Sequence, residues 1–300
     1  DAASSSIYGA RASFGVIMIT TKSGKSGKTR VNYSGNVRFS DAIQIPEMVD
    51  SYTFAQYFNR ANTNDGGGLV FDEAALERIK NYQTGKYTDP NTPEYYGAKA
   101  GNDGKWQNYT GSFANTDWFK EASKPGLYTN ANITYTGSSG RMRSFVMADY
   151  YREEGAIKDF TLDRFTFRSN NDVKFTDRFT MSTKISGSLS RTDSQQRSVY
   201  NTYLYLPWDF PYNEDGSIRS GQEQDWRGRD GINDMYDLQW NWSRSKKLTV
   251  DGTINFNYQI TDWLRFESNN YIRYISNRSE SYTDKRSRSG QSDKGSLSNS

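Results

Sequence analysis

The chain of 300 residues contains no cysteine and no histidine, which excludes disulfides, thiol chemistry and imidazole bases. Its formal net charge of +3 is small for this length and does not indicate a nucleic-acid-binding protein. No stretch approaches the ~18 apolar residues of a membrane-spanning helix, yet aromatic residues make up 15% of the chain, so a fold that uses those rings is expected.

The first patterned stretch, residues 15–29, reads GVIMITTKSGKSGKT and has the outline of a phosphate-binding loop. Such a loop needs a glycine five positions before Gly27, where this chain has Lys22. It must also open a helix, whereas residues 30–39 alternate between apolar and polar side chains, as a strand does. We therefore reject a nucleotide site and predict a strand followed by a basic tether.

The same alternation recurs along the chain and predicts an all-β fold. The clearest case is LTVDGTINFNYQI, where Leu248, Val250 and Ile254 share one face while Thr249 and Asp251 share the other. About seven strands are predicted, over residues 31–39, 127–135, 142–150, 165–175, 179–189, 248–260 and 264–274.

The predicted connections differ in length on the two sides of the sheet. Gly137–Gly140, Thr176–Arg178 and Thr261–Trp263 read as tight turns. The links at about 41–126, 153–160 and 192–246 are long or irregular, and they alternate with the turns. Short periplasmic turns and long extracellular loops are typical of outer-membrane barrels, so we predict part of a transmembrane antiparallel β-barrel. A soluble antiparallel sheet with one wet face is the alternative.

The two long links have content of their own. MVDSYTFAQYFNRA and FDEAALERIKNYQTG, within 41–126, predict two helices that pack inside a large loop. The link at 192–246 is rich in aromatic residues, which could stack on a sugar or pack on a peptide, or could hold the loop together or form an interfacial girdle. The candidate substrate-binding residues are Tyr203, Tyr205, Trp208, Phe210, Tyr212, Trp226 and Arg227. No catalytic residue, metal site or cofactor is predicted.

The opening DAASSSIYGARASFGVIMITTKSGK resembles the end of the plug domain in SusC/RagA-like TonB-dependent outer-membrane transporters. The pattern of that family is matched by Asp1, Ala2, Ile7, Tyr8, Gly9, Arg11, Ala12, Gly15, Val16, Ile19, Thr20, Thr21 and Lys22. Phe14 departs from it, where the family usually has a small polar residue. The resemblance implies that residues 1–28 are the C-terminal end of a plug and its tether. Residues 29–300 would then be the N-terminal part of the barrel, with other segments upstream. Tyr8, Gly9, Arg11, Gly15, Thr20 and Lys22 are expected to be structural.

The resemblance also implies a function. We expect a bacterial outer-membrane protein, surrounded by lipid, that imports a bulky nutrient, expected to be an oligosaccharide, and performs no catalysis. Its expected partners are a SusD-like surface lipoprotein and the TonB–ExbB–ExbD complex, with a glycan or peptide as substrate and no nucleic acid. The alternatives are a non-transporting adhesin or structural barrel, and a soluble carbohydrate-binding β-protein.

Overall fold

The fold is built around one large antiparallel β-sheet, seen in a computed structural model of the chain. The structure describes residues 28–98, 113–194, 202–208, 211–213, 215–219, 221–222, 231–287 and 295–300. The opening motif lies outside these residues, so the division into a plug end at 1–28 and a barrel part at 29–300 stays a prediction.

The elements follow one another as strands interrupted by loop helices. The strands are β1 (Arg30–Ser40), β2 (Gly126–Ser139), β3 (Met142–Glu154), β4 (Phe160–Lys174), β5 (Phe179–Ser194), β6 (Gly221–Gln222), β7 (Gly231–Ile232), β8 (Trp242–Gln259), β9 (Arg265–Thr283) and β10 (Ser296–Asn299). The helices are α1 (Ser51–Asn64), α2 (Glu73–Gln83), a 3₁₀ helix (Pro93–Tyr96), α3 (Trp118–Ala122) and α4 (Asp234–Leu238). None of the helices in the described ranges is long and apolar enough to cross a bilayer.

Eight of the described strands form the large sheet, in the order β1-β2-β3-β4-β5-β8-β9-β10, and β6 pairs only with β7. All seven predicted strands are present, and the short β10 was not predicted. Strand β8 begins at Trp242 rather than at 248 because Arg244 and Lys246 continue the alternation with charged side chains in place of apolar ones. The second long link, predicted at 192–246, is therefore shorter in the structure, where it covers 195–241.

The long links of the sheet all lie at one end, as predicted for 41–126 and 192–246. At one end, β2 and β3 are joined by Gly140 and Arg141 alone, and the other links are 175–178 and 260–264. The turn predicted at Gly137–Gly140 therefore lies two residues later in the structure, because strand pairing continues to Ser139 and Met142. At the opposite end the links are 41–125, 155–159, 195–241 and 284–295. We call these the turn end and the loop end. The link predicted to be long or irregular at 153–160 is short, since 155–159 has no more residues than 260–264 at the turn end.

The two faces of the sheet differ in chemistry. We call outer the face that carries Ala131, Tyr150, Phe165, Leu189 and Leu248, which stand opposite one another in register. Its apolar side chains are exposed; Phe165 is 49% and Leu189 50% exposed. A soluble sheet would bury such a face, whereas a membrane barrel turns it to lipid.

The opposite, inner face is polar and hydrogen-bonded. Asn130 and Asn132 both donate to one Asp149 carboxylate oxygen, at 2.9 and 3.1 Å. On β8 and β9, Arg273 pairs with Asp251 at 2.9 Å. Such side chains suit a wet lumen.

The main hydrophobic core of the described residues lies in the loops and not in the sheet. Its fully or nearly fully buried members are Ala55, Phe71, Ile79, Phe113 and Trp208. The two helices predicted within 41–126 are confirmed as α1 and α2, and each begins after an aspartate that caps it. Asp50 accepts from Thr53 N at 2.9 Å and Asp72 from Ala75 N at 2.7 Å. The first long link is therefore folded, and Trp208 of the second long link completes its interior.

Candidate functional site

Trp208 joins the two long links at the loop end of the sheet. Its ring centre lies 5.1 Å from that of Phe54 and 4.8 Å from that of Phe71, both in edge-on contact. The side chain is 0% exposed. The position of Trp208 thus corresponds to the interpretation in which these rings hold a loop together, since neither ring face is open to a ligand.

Two hydrogen bonds to backbone carbonyl groups of the second link reinforce this junction. Trp118 Nε1 donates to the carbonyl oxygen of Leu206 at 3.0 Å. Thr116 N donates to Pro207 O at 2.7 Å. The segment 202–208 of the second link is therefore fixed against the first link by both packing and hydrogen bonds.

Two further candidate rings lie beside Trp208. Tyr205 packs on Trp118 with ring centres 4.7 Å apart, and Tyr203 meets Phe119 edge-on at 4.8 Å. Tyr203 keeps 49% of its surface exposed. Both rings pack against the first link, and they lie at the edge of the junction, whereas Trp208 is buried at its centre.

The other sequence-predicted residues divide between the described and undescribed parts of the chain. Tyr212 is described and lines a cleft. Phe210, Trp226, Arg227 and the plug-end residues Tyr8, Gly9, Arg11, Gly15, Thr20 and Lys22 lie outside the described residues. Their predicted roles stay predictions.

The cleft lies between the two long links and has a volume of about 620 Å³. We call it the tyrosine cleft because four tyrosines line it together with amide, hydroxyl and charged groups. Its lining residues are Tyr82, Tyr95, Tyr96, Ala114, Asn115, Thr116, Asp117, Lys120, Glu121, Pro211, Tyr212, Asn213 and Gly216.

One wall of the cleft depends on a glycine. The 3₁₀ helix carries Tyr95 and Tyr96, whose rings meet edge-on at 4.9 Å, and Gly97 ends it with φ of 76°. A Cβ on Gly97 would lie 2.5 Å from Ala114 Cα. Gly97 O also accepts from Phe113 N at 2.7 Å. The tyrosine pair is therefore held against the 113–117 segment by a backbone approach that only glycine permits.

The opposite wall is a short hairpin of the second link. Asn213 N donates to Ser217 O at 2.7 Å, and Tyr212 bridges to Ile218. The hydroxyl of Tyr212 donates to Glu121 Oε2 at 3.2 Å, across to α3. Burial and then the nearby Glu121 carboxylate raise the pKa of Tyr212, so the phenol stays protonated at neutral pH.

Charges in the cleft are largely paired within it. Asp117 caps α3 by accepting from Lys120 N at 3.1 Å, and it pairs with the Lys120 ammonium at 3.2 Å. The side-chain oxygen of Asn115 accepts from Ser51, which leaves its amide nitrogen as the group it can offer. The cleft can therefore bind by ring stacking and hydrogen bonding more than by net charge.

The residues that the first link contributes to this cleft were not predicted from the sequence. Tyr95 and Tyr96 are each 43% exposed, and Tyr82 lies deeper, where burial and then Tyr95 raise its pKa. The available signal was Pro93-Glu-Tyr-Tyr-Gly97, a turn-forming proline and glycine that enclose two adjacent tyrosines.

Comparison with known proteins gives relatives for this fold. No family model matches the chain. The chain is 26% identical over 226 residues to TonB-dependent receptor P26 and 24% identical over 228 residues to TonB-dependent receptor P3, both of Formosa agariphila. It is 26% identical over 171 residues to TonB-dependent receptor SusC of Bacteroides thetaiotaomicron. These matches cover 74%, 72% and 57% of this chain but only 19%, 18% and 13% of the relatives.

Solved structures with the same fold are found as well. The chain superposes on the RagAB peptide importer in its closed-closed state with a TM-score of 0.70 at 16% identity, covering 93% of this chain and 31% of that one. For the open-open state the TM-score is 0.70 at 18% identity, with 94% and 32% covered. The chain is thus similar to part of the SusC/RagA-like TonB-dependent receptors, which are β-barrel proteins of the bacterial outer membrane, and the resemblance predicted from its sequence is confirmed.

Proposed function

We propose that the protein to which this chain belongs imports a bulky nutrient across the outer membrane in a TonB-dependent way. The observation that carries this proposal is the similarity to TonB-dependent receptors over 74% of the chain. The exposed apolar outer face supports it, because that face suits lipid and disfavours the alternative of a soluble carbohydrate-binding protein. In this proposal the chain contributes wall and extracellular loops and performs no catalysis.

The proposed partners follow from the same relationship. A SusD-like surface lipoprotein would cover the loop end, and the TonB–ExbB–ExbD complex would supply energy through a segment outside this chain. Import would then require that substrate binding differ in affinity between closed and open states.

We propose an oligosaccharide as the substrate class, bound in the tyrosine cleft. Tyr95, Tyr96 and Tyr212 offer partly exposed ring faces, which pack on the C–H faces of sugars, and hydroxyl and amide groups beside them can hydrogen-bond sugar hydroxyls. A peptide is the second candidate, since the similar RagAB structures are described as a peptide importer.

Transport is tested by uptake into cells. A strain that lacks the gene and a complemented strain would be given a panel of fluorescent neutral oligosaccharides and peptides of matched size. We expect uptake of a class of oligosaccharide only in the complemented strain, and its loss when a protonophore removes the energy source of TonB. Equal uptake by both strains would overturn the importer proposal and favour an adhesin or structural barrel.

The cleft is tested separately by ligand binding to the purified protein in detergent. Tyr96→Ala should weaken binding of the transported oligosaccharide about tenfold because a stacking ring is lost. Tyr57→Ala is the matched control, since Tyr57 is a 65% exposed tyrosine of the same link outside the cleft. Unchanged affinity in Tyr96→Ala would remove the cleft from the proposal without affecting transport itself. Preferential binding of the peptides would identify the second candidate class.

A further inference from the structure

Three basic side chains stand side by side on the outer face, near the loop end of the sheet. Arg191 of β5 lies opposite Lys246 of β8, and Lys246 lies opposite Arg278 of β9. We call these three residues the cation row. Like charges directly opposite one another on one face of a sheet destabilise it, so this arrangement needs a compensating group.

The position of the row relative to the apolar band is fixed by register. One step toward the turn end on the same face, Leu189 stands opposite Leu248. The stacked rings of Trp242 and Tyr282 stand on the same face two register steps nearer the loop end. The row therefore lies between the aliphatic part of the lipid-facing surface and an aromatic pair of the kind found at membrane interfaces. In an outer-membrane barrel the long loops are extracellular, so this height corresponds to the headgroups of the outer leaflet.

Carboxylates of the protein compensate the row only in part. Arg191 pairs with Asp193 at 2.9 Å, and Arg278 pairs with Glu280 at 2.7 Å. A further cation, Arg244, already shares Asp193 at 2.6 Å. Asp163 of β4 also stands opposite Arg191, but it already pairs with Arg152 at 3.3 Å. On β5, β8 and β9, four basic residues thus stand with two acidic ones.

Lys246 is the central member and has no carboxylate partner among the residues that the structure describes. It is exposed and flanked on both sides by arginines. Arg191 and Arg278 also remain open, with 45% and 66% of their side-chain surface exposed. Planar guanidinium groups on either side of an ammonium offer several donors to one anion with tetrahedral oxygens.

We propose that the cation row is a docking site for the phosphorylated headgroup of an outer-leaflet glycolipid of the lipid A type. The acyl chains would lie against the apolar outer face, and a headgroup phosphate would sit over Lys246 between the two arginines. The charge of the row is complementary to a phosphate, and its placement is continuous with the lipid-facing surface. The site is independent of the tyrosine cleft and of the transported substrate.

The test is lipid binding to the purified full-length protein in detergent, with diphosphorylated lipid A as the probe and native mass spectrometry or calorimetry as the readout. Each basic residue near a membrane surface contributes enough that Lys246→Gln should lower the affinity about fivefold and R191Q/K246Q/R278Q about a hundredfold. Lys247→Gln is the matched control, because Lys247 is the next residue of β8 and lies on the inner face. It should bind lipid A as the wild type does.

Further variants and a competition experiment separate lipid binding from loss of folding and from binding of free phosphate. Lys246→Arg keeps the charge and should retain binding, and unchanged heat-modifiability on gels would show that the variants remain folded. Wild-type affinity in the triple variant, or an equal loss in Lys247→Gln, would overturn the proposal. Displacement of lipid A by inorganic phosphate at equal concentration would also overturn it, because the site would then bind free phosphate rather than a lipid.

Discussion

The Asn59 side chain binds the backbone of Phe71 through both its oxygen and its nitrogen. Its Oδ1 accepts from Phe71 N at 2.8 Å, and its Nδ2 donates to Phe71 O at 2.6 Å. The same Oδ1 accepts from Val70 N at 3.0 Å. The side-chain amide of Asn59 on α1 thus supplies hydrogen bonds that a neighbouring strand would otherwise make, and it fixes the segment that leads into α2.

This relationship predicts a large stability loss in Asn59→Leu. Asn59 is only 7% exposed, and the change would remove three hydrogen bonds to the backbone, two of them buried. We expect the folded first link to lose about 3 kcal/mol or more, measured as faster limited proteolysis within 41–125 and a lower midpoint of thermal unfolding. Asn62→Leu, one turn later, is the control, because the hydrogen bond of the Asn62 side chain to Gly68 O is exposed. Equal losses in both variants would contradict the special role of Asn59.

Asp50 predicts a dependence of loop stability on pH. Burial, the largest single influence, acts to raise its pKa, but hydrogen bonds from Thr53 and Gln83 outweigh it and leave the pKa lowered. The stabilisation is therefore fully present above the pKa of an unfolded aspartate, and it is lost as pH falls through the lower folded pKa.

Substitutions separate the charge of Asp50 from its capping role. Asp50→Asn keeps an oxygen for Thr53 N and should change stability at neutral pH little, while it reduces the loss of stability on acidification. Asp50→Ala removes the cap and should cost about 1 kcal/mol at neutral pH. Thermal unfolding between pH 3 and pH 7 would check both. An unaltered acid profile in Asp50→Asn would mean that another carboxylate controls it.

Two glycines give a matched test of the tyrosine cleft. Gly85 and Gly97 both have positive φ, 69° and 76°, so alanine strains the backbone similarly at either position. A Cβ meets nothing within 4 Å at Gly85 but lies 2.5 Å from Ala114 Cα at Gly97. Gly85→Ala should cost about 1 kcal/mol, whereas Gly97→Ala should cost more and also weaken ligand binding. Equal stability and equal binding in the two variants would exclude this role for the close approach.

The assignment of the outer face to lipid predicts a difference between adjacent residues of β8. Val250 is on the outer face, opposite Gly187 and Tyr274, and Thr249 is on the inner face. Val250→Arg should lose about 2–4 kcal/mol of membrane stability, whereas Thr249→Arg should be tolerated in a wet lumen. The fraction of heat-modifiable protein in outer-membrane preparations measures this. A larger loss of stability in Thr249→Arg than in Val250→Arg would mean that the lipid-facing and lumen-facing sides have been assigned the wrong way round.

The predictable part of this fold is the part that depends on local pattern. Strict alternation revealed the strands wherever the outer residues are apolar, as in 248–260, and it failed where Arg244 and Lys246 face outward, because charge conceals the same geometry. Helices α1 and α2 were predictable from their spacing and from the acidic start of α2. The cleft was only partly predictable: Tyr212 was selected from a long aromatic run, but Tyr95 and Tyr96 lie 117 and 116 residues earlier in the chain. Their meeting depends on packing around Trp208, and periodicity carries no information about contacts at that distance.

The unequal links also constrain the order in which the sheet can assemble. Strands β2 to β5 are joined by links of two, five and four residues, so each pairing closes a short loop and can form as soon as its hairpin exists. Strand β1 must find β2 across 85 intervening residues, a search that becomes local only when α1, α2 and α3 have already folded and drawn its ends together. The folded loop region around Trp208 therefore also has a role in folding, independent of any ligand. It brings β1 close to β2, so that β1 can pair with a sheet that β2 to β5 have already formed.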